Sequence, residues 1–254
     1  MPRFFVAPEQ VKAGKVTITG TDVIHIAKVL RLRVGDLITV LDGRGKVYEA
    51  VLEEVSRDEV TCAVIEEKTV VDEPGLKLTL VQGLPKGDKM DFIIQKATEL
   101  GVSRIIPLAC ERAVVKLTGD KQQRRLDRWQ RIALEAAKQC RRPDIPEVAA
   151  LATWEDVLAG MSKSATALLP WEMENTTSLK KALIDCENLD SVIDLYVFIG
   201  PEGGFTAAEV SLACSHGVRP VTLGPRILRT ETAALAVLTM ILYQFGELGG
   251  QMDG

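Results

Sequence analysis

Two segments in the last quarter of this 254-residue chain share one unusual layout. Each has an apolar run, then Gly-Pro, a charged residue and a helix start: "YVFIGPEGGFTAAEV" (196–210) and "VTLGPRILRTETAALAVL" (221–238). Glycine lets the backbone approach a ligand closely, and proline stiffens the loop by fixing φ. In open α/β sheets, ligands bind beyond the carboxyl ends of strands, where such loops lie. The doubled turn predicts a binding site, although two ordinary strand-to-helix connections would show the same pattern.

The charged residues of these segments suggest chemistry. Thr206 and Glu209 form a capping box, whose helix N-terminus favours an anionic group. Arg226 and Arg229 lie on an otherwise apolar hinge, and Glu231 follows at a helix start, where an acid also complements the macrodipole. The helix after them is apolar on nearly every face and is predicted to be buried all round. Its N-terminus therefore meets solvent only at a cleft or an interface.

Several other chemistries are poorly supported. Only two histidines occur, His25 and His216, and the five cysteines show no C-x-x-C pair, so neither a metal site nor a Ser-His-Asp triad is expected. The segment "GLPKGDK" lacks the spacing of a P-loop. No signal-type stretch is present, and the most apolar window is about half the length of a bilayer helix. These features predict a cytoplasmic protein without a membrane segment.

Charge is segregated along the chain. The net charge is −4, yet residues 112–142 hold ten basic and three acidic side chains, a net +7, and residues 1–47 are +4. This pattern is typical of an RNA-binding face on an acidic protein, and a solvated helix face is the alternative. Aromatic residues for base stacking are sparse, at 5% of the chain, although Phe4, Phe5 and Trp129 lie near basic residues.

The predicted elements divide at about residue 72. Residues 1–72 give short alternating strands, with one helix at 22–32 and a hairpin turn at Asp42–Gly45. Pro74 and Gly75 mark a break. From 73 to 254, strand and helix patterns alternate, which predicts an α/β domain with a mainly parallel sheet. The small N-terminal domain is of a kind that docks on nucleic acid.

Five segments, in order, resemble the RsmE family of methyltransferases: "LPKGDKMDFIIQKATELGVSRIIPL", "EAAKQCRRPDIPEV", "ALLPWE", "FIGPEGGFTAAEV" and "LGPRILRTETAAL". The family methylates N3 of a uridine in 16S ribosomal RNA of the small subunit. The resemblance implies a SPOUT-type knotted sheet with a C-terminal trefoil knot, an N-terminal PUA-like β-barrel, and a homodimer. It also implies that the doubled loops bind S-adenosylmethionine (SAM). One departure is Cys140, where the family more often has serine.

The chemistry of the implied reaction, the segregated charge and the resemblance each predict roles for individual residues. Arg229 is expected to stabilise negative charge on the uracil carbonyl oxygens, and Glu231 either accepts the N3 proton or only caps its helix. The implied cofactor pocket consists of Leu169, Pro170, Ile199, Gly200, Pro201, Glu202, Gly203, Leu223, Gly224, Ile227 and Leu228. The predicted phosphate contacts are Arg3, His25, Lys28, Arg31, Arg33, Arg125 and Arg142, with packing as the alternative for His25.

Three other functions fit parts of the sequence. A related enzyme would methylate another RNA position, either a ribose 2′-O or guanosine N1. A non-catalytic assembly factor would bind RNA without methyl transfer, but the intact Gly-Pro loops argue against it. A small-molecule α/β enzyme would leave the basic segments and the N-terminal domain without a role.

Overall fold

The protein consists of two compact units. The computed structural model describes residues 1–69, 75–113, 119–186 and 193–250. The first unit comprises residues 1–72 and 137–145, and the second comprises 73–136 and 146–254. The predicted domain boundary between residues 72 and 73 lies outside the described residues. The segment 137–145 belongs to the first unit although it is remote from residues 1–72 in sequence.

The first unit is built on a six-stranded sheet. Its strands are β1 (Arg3–Phe5), β2 (Val11–Lys12), β3 (Lys15–Thr19), β4 (Leu37–Leu41), β5 (Lys46–Val55) and β6 (Glu59–Thr69). Their order is β1-β4-β5-β6-β3-β2, and the pairings are antiparallel except for β1 with β4. The helix α1 (Thr21–Ile24) continues as a π-helical turn over His25–Leu30. Apolar side chains at alternate positions of the strands fill the core.

The predicted hairpin turn at Asp42–Gly45 is present and has a clear local cause. The Asp42 carboxylate accepts hydrogen bonds from the backbone N–H groups of Arg44 (2.8 Å) and Lys46 (3.0 Å). Gly43 and Gly45 both have positive φ, at 70° and 93°, which glycine adopts without strain. The turn joins β4 to β5 in antiparallel register.

The second unit is an α/β layer structure. Its strands are β7 (Leu76–Gly83), β8 (Arg104–Leu108), β9 (Glu147–Val148), β10 (Thr166–Pro170), β11 (Ile193–Ile199) and β12 (Arg219–Val221). Its helices are α2 (Lys89–Leu100), α3 (Asp120–Cys140, whose last turn is assigned to the first unit), α4 (Trp154–Gly160), α5 (Leu179–Ile184), α6 (Ala207–Ser215) and α7 (Thr230–Gln244).

The strand order of this second sheet is β12-β10-β11-β7-β8-β9, and the pairings are parallel. The predicted mainly parallel sheet is therefore confirmed. Because the strands run in one direction, their carboxyl ends lie at one edge of the sheet. The connections that leave β7, β8, β10, β11 and β12 all start from that edge. Both Gly-Pro turns are among them.

An aromatic cluster packs beneath this edge. Trp154 stacks on Phe198 with 5.4 Å between ring centroids, and it meets Phe205 edge-on at 5.2 Å. All three rings are buried together with Leu169 and Val210. The helix that carries Trp154 was not predicted from the sequence. The cluster gives the loop after β11 a rigid support.

After β12 the chain turns back toward the middle of the sheet. β12 lies at the sheet edge, beyond β10. The next helix, α7, nevertheless begins beside the ends of β7 and β11, where the Thr230 hydroxyl is 2.6 Å from the Gly200 carbonyl oxygen. The backbone must therefore cross the end of β10 between Val221 and Thr230. The trefoil knot implied by the resemblance stays a prediction.

Helix α7 is buried on one face only, which differs from the prediction of burial all round. Ala234, Val237, Leu238 and Ile241 are fully buried, and α7 packs against α2. Its opposite face is open, and Tyr243 is 70% exposed. Within residues 1–69, 75–113, 119–186 and 193–250, no further layer covers Tyr243 and Met240 on that face. Among the described helices, none combines the length and apolar character needed to cross a membrane.

Candidate functional site

The loop Gly200–Phe205 lies at the centre of the carboxyl edge and is held by a buried polar chain. The Gln82 side-chain amide donates hydrogen bonds to the Gly83 carbonyl oxygen (2.9 Å) and to the Thr230 hydroxyl oxygen (2.9 Å). The Thr230 hydroxyl in turn donates to the Gly200 carbonyl oxygen at 2.6 Å. Gln82 is fully buried and Thr230 is 5% exposed. This chain ties the first Gly-Pro loop to the start of the helix that follows the second.

Glu209 anchors the same loop from the other side. Its carboxylate accepts from the Thr206 N–H (2.7 Å), the Glu111 N–H (2.9 Å) and the Trp154 indole N–H (3.0 Å). The predicted capping box between Thr206 and Glu209 is confirmed. The carboxylate also reaches the loop after β8 and the aromatic cluster, which a local sequence pattern could not indicate. Buried acids need such partners, because an unpaired buried charge is strongly unfavourable.

Close backbone packing explains several glycines. A Cβ atom on Gly83 would lie 2.6 Å from Pro201 Cδ, and one on Gly203 would lie 3.0 Å from Arg112 Cβ. The Arg112 guanidinium also donates to the Gly203 carbonyl oxygen at 3.0 Å. Gly204 adopts a φ of +65° and would bring a Cβ to 3.0 Å from a Glu172 carboxylate oxygen. The loops after β7, β8 and β10 therefore all contact the loop after β11.

An ion cluster joins the two Gly-Pro loops. The Lys89 ammonium lies 3.0 Å from a Glu202 oxygen and 3.1 Å from a Glu231 oxygen. Burial alone would raise the pKa of Glu202, but hydrogen bonds from Lys89 and from backbone N–H groups hold it below its usual value. The pKa of Glu231 is likewise lowered against the effect of burial, by its own backbone N–H, by Lys89 and by the charge of Arg229. Both carboxylates are therefore ionised at neutral pH.

The loops after β10 and β12 lie side by side. The Trp171 N–H donates to the Val221 carbonyl oxygen at 3.0 Å, and the Thr222 N–H donates to the Thr177 carbonyl oxygen at 2.8 Å. Hydrogen bonds from the Thr176 hydroxyl and from the N–H groups of Thr177 and Thr176 lower the pKa of Glu174 to about 2. This carboxylate therefore closes the loop after β10 as a fixed turn.

The predicted cofactor residues all lie on the loops after β10, β11 and β12 or at the strand ends that precede them. Leu169, Ile199 and Pro201 are buried, so they offer backbone groups rather than side chains. Glu202, Gly203 and Gly224 are exposed, and Pro170, Gly200, Leu223 and Leu228 are partly buried. Ile227 is 88% exposed, the most exposed large apolar side chain among the described residues.

The two predicted catalytic residues flank the start of α7. Arg229 is the N-cap residue, and its side chain is exposed. Glu231 lies in the first turn, with its side chain 19% exposed. An exposed guanidinium at this edge is available to a substrate, whereas the Glu231 carboxylate already has an ammonium partner.

The predicted RNA contacts fall into different environments. Arg3, His25, Lys28, Arg31 and Arg33 are exposed on the first unit, and Arg125 is partly buried in α3. The Arg3 guanidinium donates to the Arg141 carbonyl oxygen at 3.1 Å. The His25 ring lies edge-on to Phe4, with centroids 6.1 Å apart. Arg142 differs from the others: its side chain is 14% exposed and pairs with Asp144 at 2.5 Å.

Trp129 and Phe4 are buried and are not available for base stacking. Trp129 is 1% exposed, and its indole N–H donates to Asp91 at 3.1 Å. Phe4 is 2% exposed within the core of the first unit. Both rings are large apolar groups next to basic residues in sequence, but their burial stabilises the fold and removes them from any ligand. Phe5 is partly buried.

The cysteines show no sign of nucleophilic chemistry. Burial raises the pKa of the Cys110 thiol, which lies under the loop after β11, so it stays protonated at neutral pH. Cys140 is partly buried, with its sulfur 3.7 Å from the Ala137 carbonyl oxygen. Within the described ranges, no group of three or more His, Cys, Asp or Glu residues is arranged to hold a metal ion.

Two family models match the chain. An RNA methyltransferase domain matches residues 72–242, and an RNA methyltransferase PUA domain matches residues 18–65. The chain is 38% identical to "Ribosomal RNA small subunit methyltransferase E" of Bacillus subtilis, over 98% of this chain and 99% of the relative. The chain belongs to the RsmE family. A Synechocystis relative of the same name is also 38% identical, over 94% of this chain and 76% of its own length.

Solved structures of similar proteins agree with the RsmE assignment. A ribosomal RNA small subunit methyltransferase E from Neisseria gonorrhoeae, bound to S-adenosyl methionine, has a TM-score of 0.80 and 35% identity, covering 95% of this chain and 97% of that one. A putative methyltransferase from Legionella pneumophila, in complex with SAM, has a TM-score of 0.79 and 30% identity, covering 95% and 96%. The predicted family and fold class are thereby confirmed.

Sequence reasoning missed the residues that hold this RsmE site together. The sequence pattern places Gln82 only in a strand. It places Lys89 only at the end of "GLPKGDK", which does not match a P-loop. A polar glutamine within the apolar strand "LKLTLVQG" was the one available signal, because a buried amide must find partners. The partner Thr230 lies 148 positions away, so no local pattern identifies it.

The buried chain predicts the effect of one isosteric change. Thr230→Val keeps the side-chain volume but leaves the Gln82 amide and the Gly200 carbonyl each short of a partner. We expect a loss of about 1–3 kcal/mol in the free energy of unfolding, measured by urea denaturation. Thr230→Ser, which keeps the hydroxyl, is the control and should lose less. Equal losses in the two variants would show that the hydrogen bonds contribute nothing.

Proposed function

We propose that this protein transfers a methyl group from SAM to N3 of a uridine in 16S ribosomal RNA of the small ribosomal subunit. The observation that carries the proposal is the 38% identity to a ribosomal RNA small subunit methyltransferase E over nearly the whole of both chains. Residues 1–72 act as the RNA-binding domain and residues 73–254 as the methyltransferase domain. The enzyme works in the cytoplasm, where small subunits are made.

The residues at the carboxyl edge fit SAM. The loop after β12 offers apolar side chains, Leu223, Ile227 and Leu228, for the adenine ring, and Gly224 has open space on its Cβ side. The loop after β11 offers backbone polar groups and the Glu202 carboxylate to the cationic part of the molecule. When bound, SAM supplies an activated methyl group on a sulfonium. The loop residues predicted from the sequence thus hold it, and the task of this chain is to orient both reactants.

Arg229 acts on the uracil ring. Uracil N3 carries a proton and becomes nucleophilic only when that proton leaves, which places negative charge on the neighbouring carbonyl oxygens. The exposed Arg229 guanidinium, held at the N-cap of α7, donates hydrogen bonds to these oxygens and stabilises the charge. Glu231 is the proposed proton acceptor. Its lowered pKa keeps it ionised but makes it a weak base, so the proton passes on readily to water.

A homodimer fits the open face of α7. A groove of about 620 Å³ runs between α2 and α7 and is lined by Phe92, Leu235, Ala236 and Met240, with Glu231 at one end. Phe92 is 44% and Met240 43% exposed. A second copy would cover these apolar side chains and would lie next to the catalytic residues. Light scattering should then give twice the chain mass of 27.7 kDa.

The proposed reaction is tested on small ribosomal subunits from cells that lack this activity. The subunits are incubated with the protein and methyl-labelled SAM, and the RNA nucleosides are then identified by mass spectrometry. We expect the label in 3-methyluridine. Label in a 2′-O-methyl nucleoside or in 1-methylguanosine would replace the proposed target with another position. SAM binding without any label on RNA would favour an assembly factor.

Removal of the Arg229 guanidinium tests its role in the transition state. Arg229→Ala should lower the single-turnover rate on the order of 100- to 1000-fold, with little change in SAM affinity or in melting temperature. Arg226→Ala is the matched control, because Arg226 is also exposed in the same loop. An Arg229→Ala variant with the rate of the Arg226→Ala control would refute the assignment.

The salt dependence of RNA binding tests the first unit. Arg31 and Arg33 are both exposed, and their replacement by alanine should weaken RNA binding. The slope of log K against log salt should become shallower by about 1.5, because each lost phosphate contact reduces the number of counterions that RNA binding releases. Lys15→Ala is the control, since Lys15 is already paired with Glu53 at 2.8 Å. An unchanged slope in the arginine variant would contradict the predicted phosphate contacts.

A further inference from the structure

Each of the two Gly-Pro segments carries a glutamate that reaches the same lysine. Glu202 follows the first Gly-Pro pair directly, and Glu231 lies in the helical turn after the second loop. Their carboxylate oxygens lie 3.0 and 3.1 Å from the Lys89 ammonium nitrogen. The doubled sequence pattern therefore brings together two acids that share one cation. No step of the proposed reaction uses Lys89.

This cluster is better placed than an ordinary surface ion pair. The side chains of Lys89, Glu202 and Glu231 are 33%, 28% and 19% exposed. The Lys86 N–H adds hydrogen bonds of 3.2 Å to both Glu202 oxygens. Screening by solvent is weaker at partly buried sites, and networks contribute more than isolated pairs. Without the ammonium, the two carboxylates would face each other and repel.

The position of Lys89 in its helix violates a local rule. It is the first residue of α2, where the helix dipole favours acids and disfavours a cation. Its backbone is fixed, because the next residue, Met90, is 1% exposed, and Asp91 binds both Trp129 and Arg128. Residues that contradict local preference without a local gain mark functional positions. Here the gain lies in the contacts to the two loops.

We propose that Lys89 is a positioning residue that holds the two Gly-Pro loops together in the geometry that binds SAM. The inference rests on the proposed function, in that it takes these loops as the SAM site. The lysine reaches Glu202 on the loop after β11 and Glu231 beside the loop after β12. It thereby sets the separation of the loops and the placement of Arg229, which precedes Glu231 by two residues.

The first experiment measures SAM affinity by calorimetry for Lys89→Met. We expect the Kd to rise about tenfold or more, because the repelling carboxylates separate the loops. Lys96→Met is the matched control, since Lys96 lies on the same helix and pairs along it with Glu99 at 2.8 Å. Its Kd should equal that of the wild type. The melting temperature of each protein without ligand is recorded in parallel.

A second substitution separates loop positioning from general stabilisation. Adding Glu231→Gln to Lys89→Met removes one of the facing carboxylates without touching a proposed SAM contact, so we expect the double variant to bind SAM more tightly than Lys89→Met alone, by about threefold. If Lys89 had only a structural role, the second substitution would weaken SAM binding further. If Lys89→Met does not fold, Lys89→Gln, which retains a donor without the charge, replaces it in the same comparison.

The SAM affinities of the wild type and the variants distinguish failure of this inference from failure of the proposed function. Wild-type protein that binds SAM, together with a Lys89→Met variant of equal Kd, would overturn the role of Lys89 and leave the function intact. A double variant that binds no better than Lys89→Met would also overturn it. Wild-type protein that does not bind SAM would remove the proposed function and, with it, this inference.

Discussion

One buried hydroxyl group joins the parts on which the site depends. The Thr230 side chain accepts from the amide of Gln82 and donates to the carbonyl oxygen of Gly200, so it connects the end of β7, the loop after β11 and the first residue of α7. Gln82 and Thr230 are buried, so their side chains depend on these hydrogen bonds rather than on water. The hydrogen bonds therefore fix where the last helix begins, and the placement of Arg229 and Glu231 follows from that.

The parallel sheet makes this convergence possible. Its strands deliver their following loops to one edge, and the loop after β11, near the middle of the sheet, contacts neighbours on both sides. Glu209 binds it to the loop after β8, and Lys89 binds it to the start of α7. The aromatic cluster around Trp154 supports it from below. Rigid support of this kind is what a site needs to orient two reactants.

Much of the fold could be predicted from the sequence, because its signals are local. The Asp42–Gly45 hairpin and the Thr206–Glu209 capping box each depend on residues within a few positions of one another. Most strands of both sheets followed from apolar patterning in the same way. Short elements such as α4 and α5 were missed, because one or two turns give too few periodic positions for a signal.

The site was predictable only in part, for a related reason. The Gly-Pro loops stand out in the sequence, but the partners that fix them come from distant strands. Gln82, Lys89 and Glu209 act across separations that no window of sequence covers, and the pairing of Arg142 with Asp144 was not visible from charge counts. The burial of Trp129, which lies among basic residues in the sequence, could not be predicted for the same reason. Composition records that an aromatic is present, whereas only packing decides whether it is exposed.

The late position of Thr230 has a consequence for biosynthesis. The loop after β11 is complete once residue 206 has been made. The hydroxyl that binds its Gly200 carbonyl oxygen comes only with Thr230, after the chain has crossed the end of β10. A nascent chain that lacks the last helix holds both Gly-Pro loops but has neither the Thr230 hydroxyl nor the Glu231 carboxylate to fix them. Competence for methyl transfer therefore requires that synthesis has passed Glu231.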